Sequence, residues 1–181
     1  CIFHRTSNRE RRYLFRRGGK GKTTCGMGLC VRAAGYGYRV LIYQFMKDNS
    51  TSERKAMEKI PGITFVPGLK QEKFSFQMTD QEKEERKLFY EEKFREVVQK
   101  AQEENYDVLF LDEIIYTIRA GLFDEDLLIR WLREKPEHLE VILTGQDPGE
   151  ELTACADYVS ELKKIRHPFD RGLAARDGIE K

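Results

Sequence analysis

Short, nearly unbroken apolar runs recur along the chain: Arg39–Phe45 (RVLIYQF), Asp107–Leu111 (DVLFL) and Glu140–Thr144 (EVILT). Runs of this length without polar alternation predict strands covered on both faces, as in a parallel sheet. Ile63–Val66 and Tyr158–Leu162 are weaker strand candidates, and Tyr13–Phe15 offers only three apolar residues for a further strand. Helical stretches lie between these runs. One helix is expected from about Lys22 to Ala34, closed by Gly35 and Gly37 in left-handed conformations. A long one is expected over Asp80–Glu104, with Tyr90, Phe94, Val97, Val98 and Ala101 on one face. Glu91/Arg95 and Glu96/Lys100 stand opposite as i,i+4 pairs. Strand and helix alternate from Tyr13 to the end, which predicts βαβ units and an α/β fold.

Composition narrows the picture. A chain of 181 residues suits one domain with a sizeable core. Residues 1 to 12 are polar and basic, without Met or a clear period, so the folding domain is set at 13–181. The segment before it reads as a fragment, an untidy translation or a disordered leader. Lys+Arg 32 against Asp+Glu 31 leaves a net charge of +1, which gives no electrostatic footprint for nucleic acid. Cys1, Cys25, Cys30 and Cys155 form no CxxC pair, so reduced thiols in a cytoplasm fit better than a disulfide framework or structural zinc. No apolar run is long enough to suggest a membrane span. These features describe a cytoplasmic enzyme with small-molecule substrates.

Residues 18 to 24 read GGKGKTT, between the first strand candidate and a helix. In that setting Gly18, Gly19, Lys20 and Gly21 let successive backbone N–H groups face phosphate oxygens. Lys22 adds a mobile cation, the Thr23 hydroxyl is a ligand for Mg²⁺, and Thr24 follows at the start of the helix. The expected ligand is a nucleoside triphosphate, ATP, with Mg²⁺. The alternative is a flexible basic turn. GxxxxGK[ST] would need Gly where Arg16 stands, followed here by Arg17, so two bulky residues occupy a tight turn. Asp112-Glu113 closes the DVLFL run, where one or other carboxylate can meet the metal or its waters at the carboxyl edge of the sheet. The competing reading of Asp112 is a helix cap.

Six strings then fall in order: GKGKTT (19–24), RAAGYGYRV (32–40), YQFMK (43–47), FLDEI (110–114), LTG (143–145) and HPFDRGLAARDGIE (167–180). With them the chain resembles the P-loop type of ATP:corrinoid (cob(I)alamin) adenosyltransferase over roughly residues 13–180. The resemblance implies a RecA-like, doubly wound, mostly parallel sheet in a single domain. It also implies a transferase that moves the 5′-deoxyadenosyl group of ATP to the cobalt of a reduced corrinoid and releases triphosphate, of the cob(I)yrinic acid a,c-diamide type. The reduced cobalt is itself the nucleophile, so catalysis reduces to positioning and to charge stabilisation by Lys22, Mg²⁺ and loop amides.

Phe74 and Phe76, in KFSFQMTD, look like the family's aromatic pair that displaces the lower axial ligand of cobalt. They are otherwise ordinary core or loop anchors. Gln44, Lys47 and Asp170, with Arg171, are further candidates around the nucleotide. Gln146 stands where many relatives carry Arg, and Arg17 or Lys20 would have to compensate. His167, before Pro168, reads as a turn residue. The family further implies a homodimer, a flavin-dependent reductase as electron donor, and a role in adenosylcobalamin synthesis or salvage. The competing functions are another P-loop ATPase or kinase, and a non-catalytic ATP or corrinoid binding module.

Overall fold

A computed structural model describes residues 12–16, 21–70, 75–176 and 178–179. Six strands form one sheet: β1 (Arg12–Arg16), β2 (Val40–Gln44), β3 (Ile63–Phe65), β4 (Val108–Asp112), β5 (Glu140–Thr144) and β6 (Tyr158–Glu161). Their order is β3-β2-β4-β5-β1-β6, and every neighbouring pair is parallel. The helices are α1 (Lys22–Tyr36), α2 (Ser52–Met57), α3 (Asp80–Glu103), α4 (Ile114–Arg119), α5 (Glu125–Glu134) and α6 (Glu150–Ala154). This is the expected doubly wound α/β fold. All six strand candidates form, including the one at Tyr13.

The unbroken apolar runs have the predicted cause. Along β2, Val40 and Ile42 face one layer while Leu41 and Tyr43 face the other; β4 divides Val108 and Phe110 from Leu109 and Leu111 in the same way. One layer is built with α1 through Met27 and Cys30, and the other with α3 and α5 through residues such as Phe94, Val97, Leu128 and Leu132. Alternation is therefore present in space, but both sides are apolar. β6 differs, since all four of its residues are exposed.

Gly26 shows how closely α1 is seated. A Cβ there would lie 2.3 Å from the Phe110 ring, whose residue is fully buried on β4. Gly26→Ala should therefore cost about 1–3 kcal/mol, the usual range for overpacking a filled core. Chemical denaturation would read it as a lower midpoint at unchanged slope. Stability equal to that of the unmodified chain would show that α1 can lift without penalty.

Two local expectations are corrected. Gly35 lies inside α1, and Gly37 alone is left-handed, with φ 102° at the C-cap, where its N–H bonds Ala34 O at 2.9 Å. One C-terminal glycine is enough to stop a helix, so the second simply continues it. On α3, Glu91 and Arg95 pair as expected at 3.8 Å, but Glu96 pairs with Lys93 at 2.5 Å and Lys100 pairs with Glu104. Glu96 has a lysine on either side, Lys93 and Lys100, and Lys100 has both Glu96 and Glu104 within reach, so spacing alone does not choose among them. The five expected apolar residues of α3 are all buried. Its start is fixed by a capping box: Thr79 Oγ1 accepts from Glu82 N–H at 3.2 Å, and Thr79 N–H donates to Glu82 Oε2 at 2.7 Å.

Candidate active site

The strand order puts β5 between β1, which leads to the phosphate-loop region, and β4, which ends in Asp112. A carboxylate on β4 must reach across β5 to meet the start of α1. Thr144, the last residue of β5, fills that gap: its hydroxyl donates to Asp112 Oδ1 at 2.6 Å and accepts from the Glu113 N–H at 2.8 Å. The Thr23 hydroxyl, on the first turn of α1, donates to the same Oδ1 at 2.9 Å. The second oxygen, Oδ2, accepts from Lys47 Nζ at 2.7 Å and from Gln44 Nε2 at 3.1 Å. Asp112 is fully buried. A carboxylate offers about four lone-pair sites, and these donors use them all.

Around this centre lies a second ring. Gln44 is held by Thr51, which donates to its Oε1 at 3.0 Å, and it donates in turn to Glu53 Oε1 at 3.0 Å. Lys47 lies 3.7 Å from Glu53 and donates to Thr23 Oγ1 at 3.2 Å. Burial works against the Lys47 charge, but the Asp112 carboxylate outweighs it and holds the ammonium above its ordinary pKa. Glu113 is pushed up, chiefly by burial and then by the Asp112 charge, with Lys22 and Lys47 opposing. Lys22, the first residue of α1, is buried.

The backbone at this edge adopts uncommon conformations. Glu113 has φ 60°, Met46 φ 55° and Asp147 φ 50°, each shortly after a strand end. Non-glycine residues in the left-handed region mark places where the surrounding structure forces the turn. The Glu113 turn aims its N–H at Thr144, and the Met46 turn precedes Lys47, which points back to Asp112. Gly21 carries the turn into α1 with φ 109°, and a Cβ there would meet Leu162 at 3.1 Å.

The sequence-predicted residues fall into three groups. Lys22, Thr23, Gln44, Lys47, Asp112 and Glu113 come together. Asp112 is the last residue of β4 and caps nothing, since Glu113 holds the N-cap of α4. Thr24 is exposed on α1, while Asp170 sits in a 3₁₀ turn at Pro168–Arg171 and accepts from Lys164 Nζ at 2.7 Å. Phe76 lies in a second 3₁₀ turn, Ser75–Gln77, just before α3, and is 79% exposed, so it is no core anchor. Gly18, Gly19, Lys20, Arg17 and Phe74 lie outside the described residues, as do residues 1–11 of the expected leader. Sequence reasoning missed Thr51, Glu53 and the role of Thr144. The LTG string marked the position of Thr144, but not the strand order that gives it work.

The donor set fits Mg²⁺. Among the described residues no group of three His, Cys, Asp or Glu is placed to hold a metal. Mg²⁺ needs no such cage, because it keeps several waters and takes one or two protein oxygens together with substrate phosphates. Thr23 and Asp112 supply hard oxygens, and a cation already sits between them in the form of the Lys47 ammonium.

Residues 14–180 match the family described as ATP:corrinoid adenosyltransferase BtuR/CobO/CobP. The chain belongs to that family. A corrinoid adenosyltransferase of Sinorhizobium sp is 31% identical over 164 residues, spanning 90% of this chain and 76% of the relative. That of Escherichia coli K12 is 28% identical over 167 residues, spanning 92% and 83%. The fold is shared more widely: a KaiC-like protein, PH0186, from Pyrococcus horikoshii OT3 superposes with a TM-score of 0.56 at 18% identity, covering 87% of this chain and 75% of that one. The sheet is thus of the RecA-like P-loop type. Among the described residues no helix is long and apolar enough to cross a membrane.

Proposed function

We propose that this chain transfers the 5′-deoxyadenosyl group of ATP to the cobalt of a reduced corrinoid, releasing triphosphate. The observation that carries the reading is the convergence of Thr23, Lys47 and Thr144 on buried Asp112 beside Lys22, in a chain that matches the adenosyltransferase family over residues 14–180. The cobalt(I) electron pair attacks C5′ and the cobalt–carbon bond forms. The C5′–O bond breaks, and its electrons leave with the triphosphate. No protein nucleophile is required. The chain's task is to hold ATP still, place C5′ toward the corrinoid and stabilise the departing charge.

Lys22 and the amides of residues 18–24 are assigned to the triphosphate. Thr23 and Asp112 are assigned to Mg²⁺, with Glu113 at its edge; the metal supplies charge neutralisation on the leaving group. Gln44 holds Asp112 in place, and Asp170 lies on the tail that closes over the nucleotide. Phe74 and Phe76 are assigned to the corrinoid, where apolar rings exclude water from the lower face of cobalt. The 79% exposure of Phe76 is compatible with that role. Residues 13–181 act as one domain, in a cytoplasmic homodimer served by a flavin-dependent reductase, on a corrinoid of the cob(I)yrinic acid a,c-diamide type or complete cobalamin.

Phe76→Ala should slow adenosylation by roughly ten- to a hundredfold while ATP affinity and thermal stability stay within error, because the residue is 79% exposed. Loss of ATP affinity would move Phe76 out of the corrinoid site. Adenosine-labelled ATP tests the activity itself. The label should pass into the corrinoid fraction in light-sensitive form, and label confined to ADP or AMP would refute transfer.

A further inference from the structure

Asp112 is saturated, and that constrains how a metal can arrive. Two donors bind each carboxylate oxygen: Thr23 and Thr144 on Oδ1, Gln44 and Lys47 on Oδ2. A divalent cation bound directly to this carboxylate must displace one of them. Thr144 is fully buried and also holds the Glu113 N–H, while Gln44 is buried and tied to Thr51 and Glu53. Thr23 is itself assigned to the metal, which leaves Lys47 as the donor to be displaced: its side chain is 24% exposed, and it follows the left-handed turn at Met46. It is also the only one of the four that repels a cation. Its ammonium contacts both Asp112 and Thr23, the two groups assigned to the metal.

We infer that Lys47 is a built-in placeholder cation: it occupies the metal position in the nucleotide-free chain and is expelled when Mg²⁺ enters with the triphosphate. The inference rests on the assignment of Mg²⁺ to Thr23 and Asp112. It gives Lys47 two functions. Without nucleotide it neutralises a buried carboxylate whose other donors, Thr23, Thr144 and Gln44, carry no charge, and it keeps free divalent cations out. When MgATP binds, the freed ammonium turns to the triphosphate, so metal and nucleotide are admitted together rather than one after the other. Lys47 is accordingly a positioning residue for the metal and a contact for the nucleotide.

The test uses Mn²⁺ as a spin-resonance probe for Mg²⁺ on the full chain, without nucleotide. The unmodified chain should bind Mn²⁺ weakly. Lys47→Met should bind it at least about tenfold more tightly, because a like charge beside the site has been removed. The gain should vanish in Lys47→Met/Asp112→Asn. If Lys47→Met folds poorly, Lys47→Gln keeps a hydrogen-bond donor without the charge. It should melt below the unmodified chain in metal-free buffer, and Mn²⁺ should raise its melting temperature by more. Both variants should bind MgATP more weakly.

Mn²⁺ binding no tighter in either variant, with Asp112-dependent Mn²⁺ uptake intact in the ATP complex of the unmodified chain, would overturn the placeholder and leave the metal assignment standing. Mn²⁺ uptake with ATP that Asp112→Asn leaves unchanged would overturn both.

Discussion

Lys22→Ala is expected to fold normally and to lose roughly a hundred- to a thousandfold in turnover, the loss typical when one preorganised charge-stabilising donor is removed from a reaction centre. Lys22 is the first residue of α1, buried beside the Asp112 centre, and near enough to Glu113 to offset its raised pKa. Alanine is the best helix former, so the helix itself is not weakened. The stabilising charge is needed most as triphosphate departs, so kcat should fall more than KM for ATP rises. Steady-state kinetics together with a melting curve would check both halves. Lys22→Arg should not restore the rate, since a planar fork cannot replace a compact ammonium in a buried position. Turnover within a fewfold of the unmodified chain would remove Lys22 from the reaction.

The second large effect is structural and originates beside Thr144. Gly145 has φ 150°, and a Cβ there would lie 2.5 Å from Ile115 Cβ and 2.6 Å from the Tyr116 backbone nitrogen. Neither atom belongs to a flexible side-chain end that could swing away. Ile115 and Tyr116 belong to α4, which starts directly after Glu113. Gly145→Ala must therefore part β5 from α4, at a cost of about 3 kcal/mol. For a chain of this size that lowers the melting temperature by roughly 6–12 °C. The same displacement pulls Thr144 from Asp112, so activity should fall beyond what the loss of stability explains. Unchanged melting would show that the packing at the end of β5 is looser than its geometry indicates.

These two positions show what a sequence discloses and what it withholds. Lys22, Thr23 and Asp112 were legible because their chemistry is local: a glycine-rich turn before a helix, and an acid at the end of an apolar run. The strands were legible because burial on both faces leaves a continuous apolar string. Thr144 and Glu53 were not, because their importance comes from strand order and from the return of α2 toward Gln44, which no short spacing encodes. The shorter helices were missed for a related reason. α2, α4 and α6 have five or six residues each, too few for a helical period to stand out. Gly145 was legible as part of a string and opaque as a contact, since α4 lies some thirty residues earlier in the chain.

The arrangement also accounts for the economy of the site. Every group around Asp112 orients, neutralises or excludes, and the strained turns at Met46 and Glu113 hold those groups in place. Such a centre suits a reaction whose nucleophile arrives with the substrate.

Anaerobic incubation with MgATP and chemically reduced cob(I)alamin, following the visible spectrum while the phosphate products are separated, tests the central claim most directly. Conversion to the alkylated corrinoid with one triphosphate released per cobalt–carbon bond is the predicted result. Steady release of ADP with the cobalt left unalkylated would contradict it.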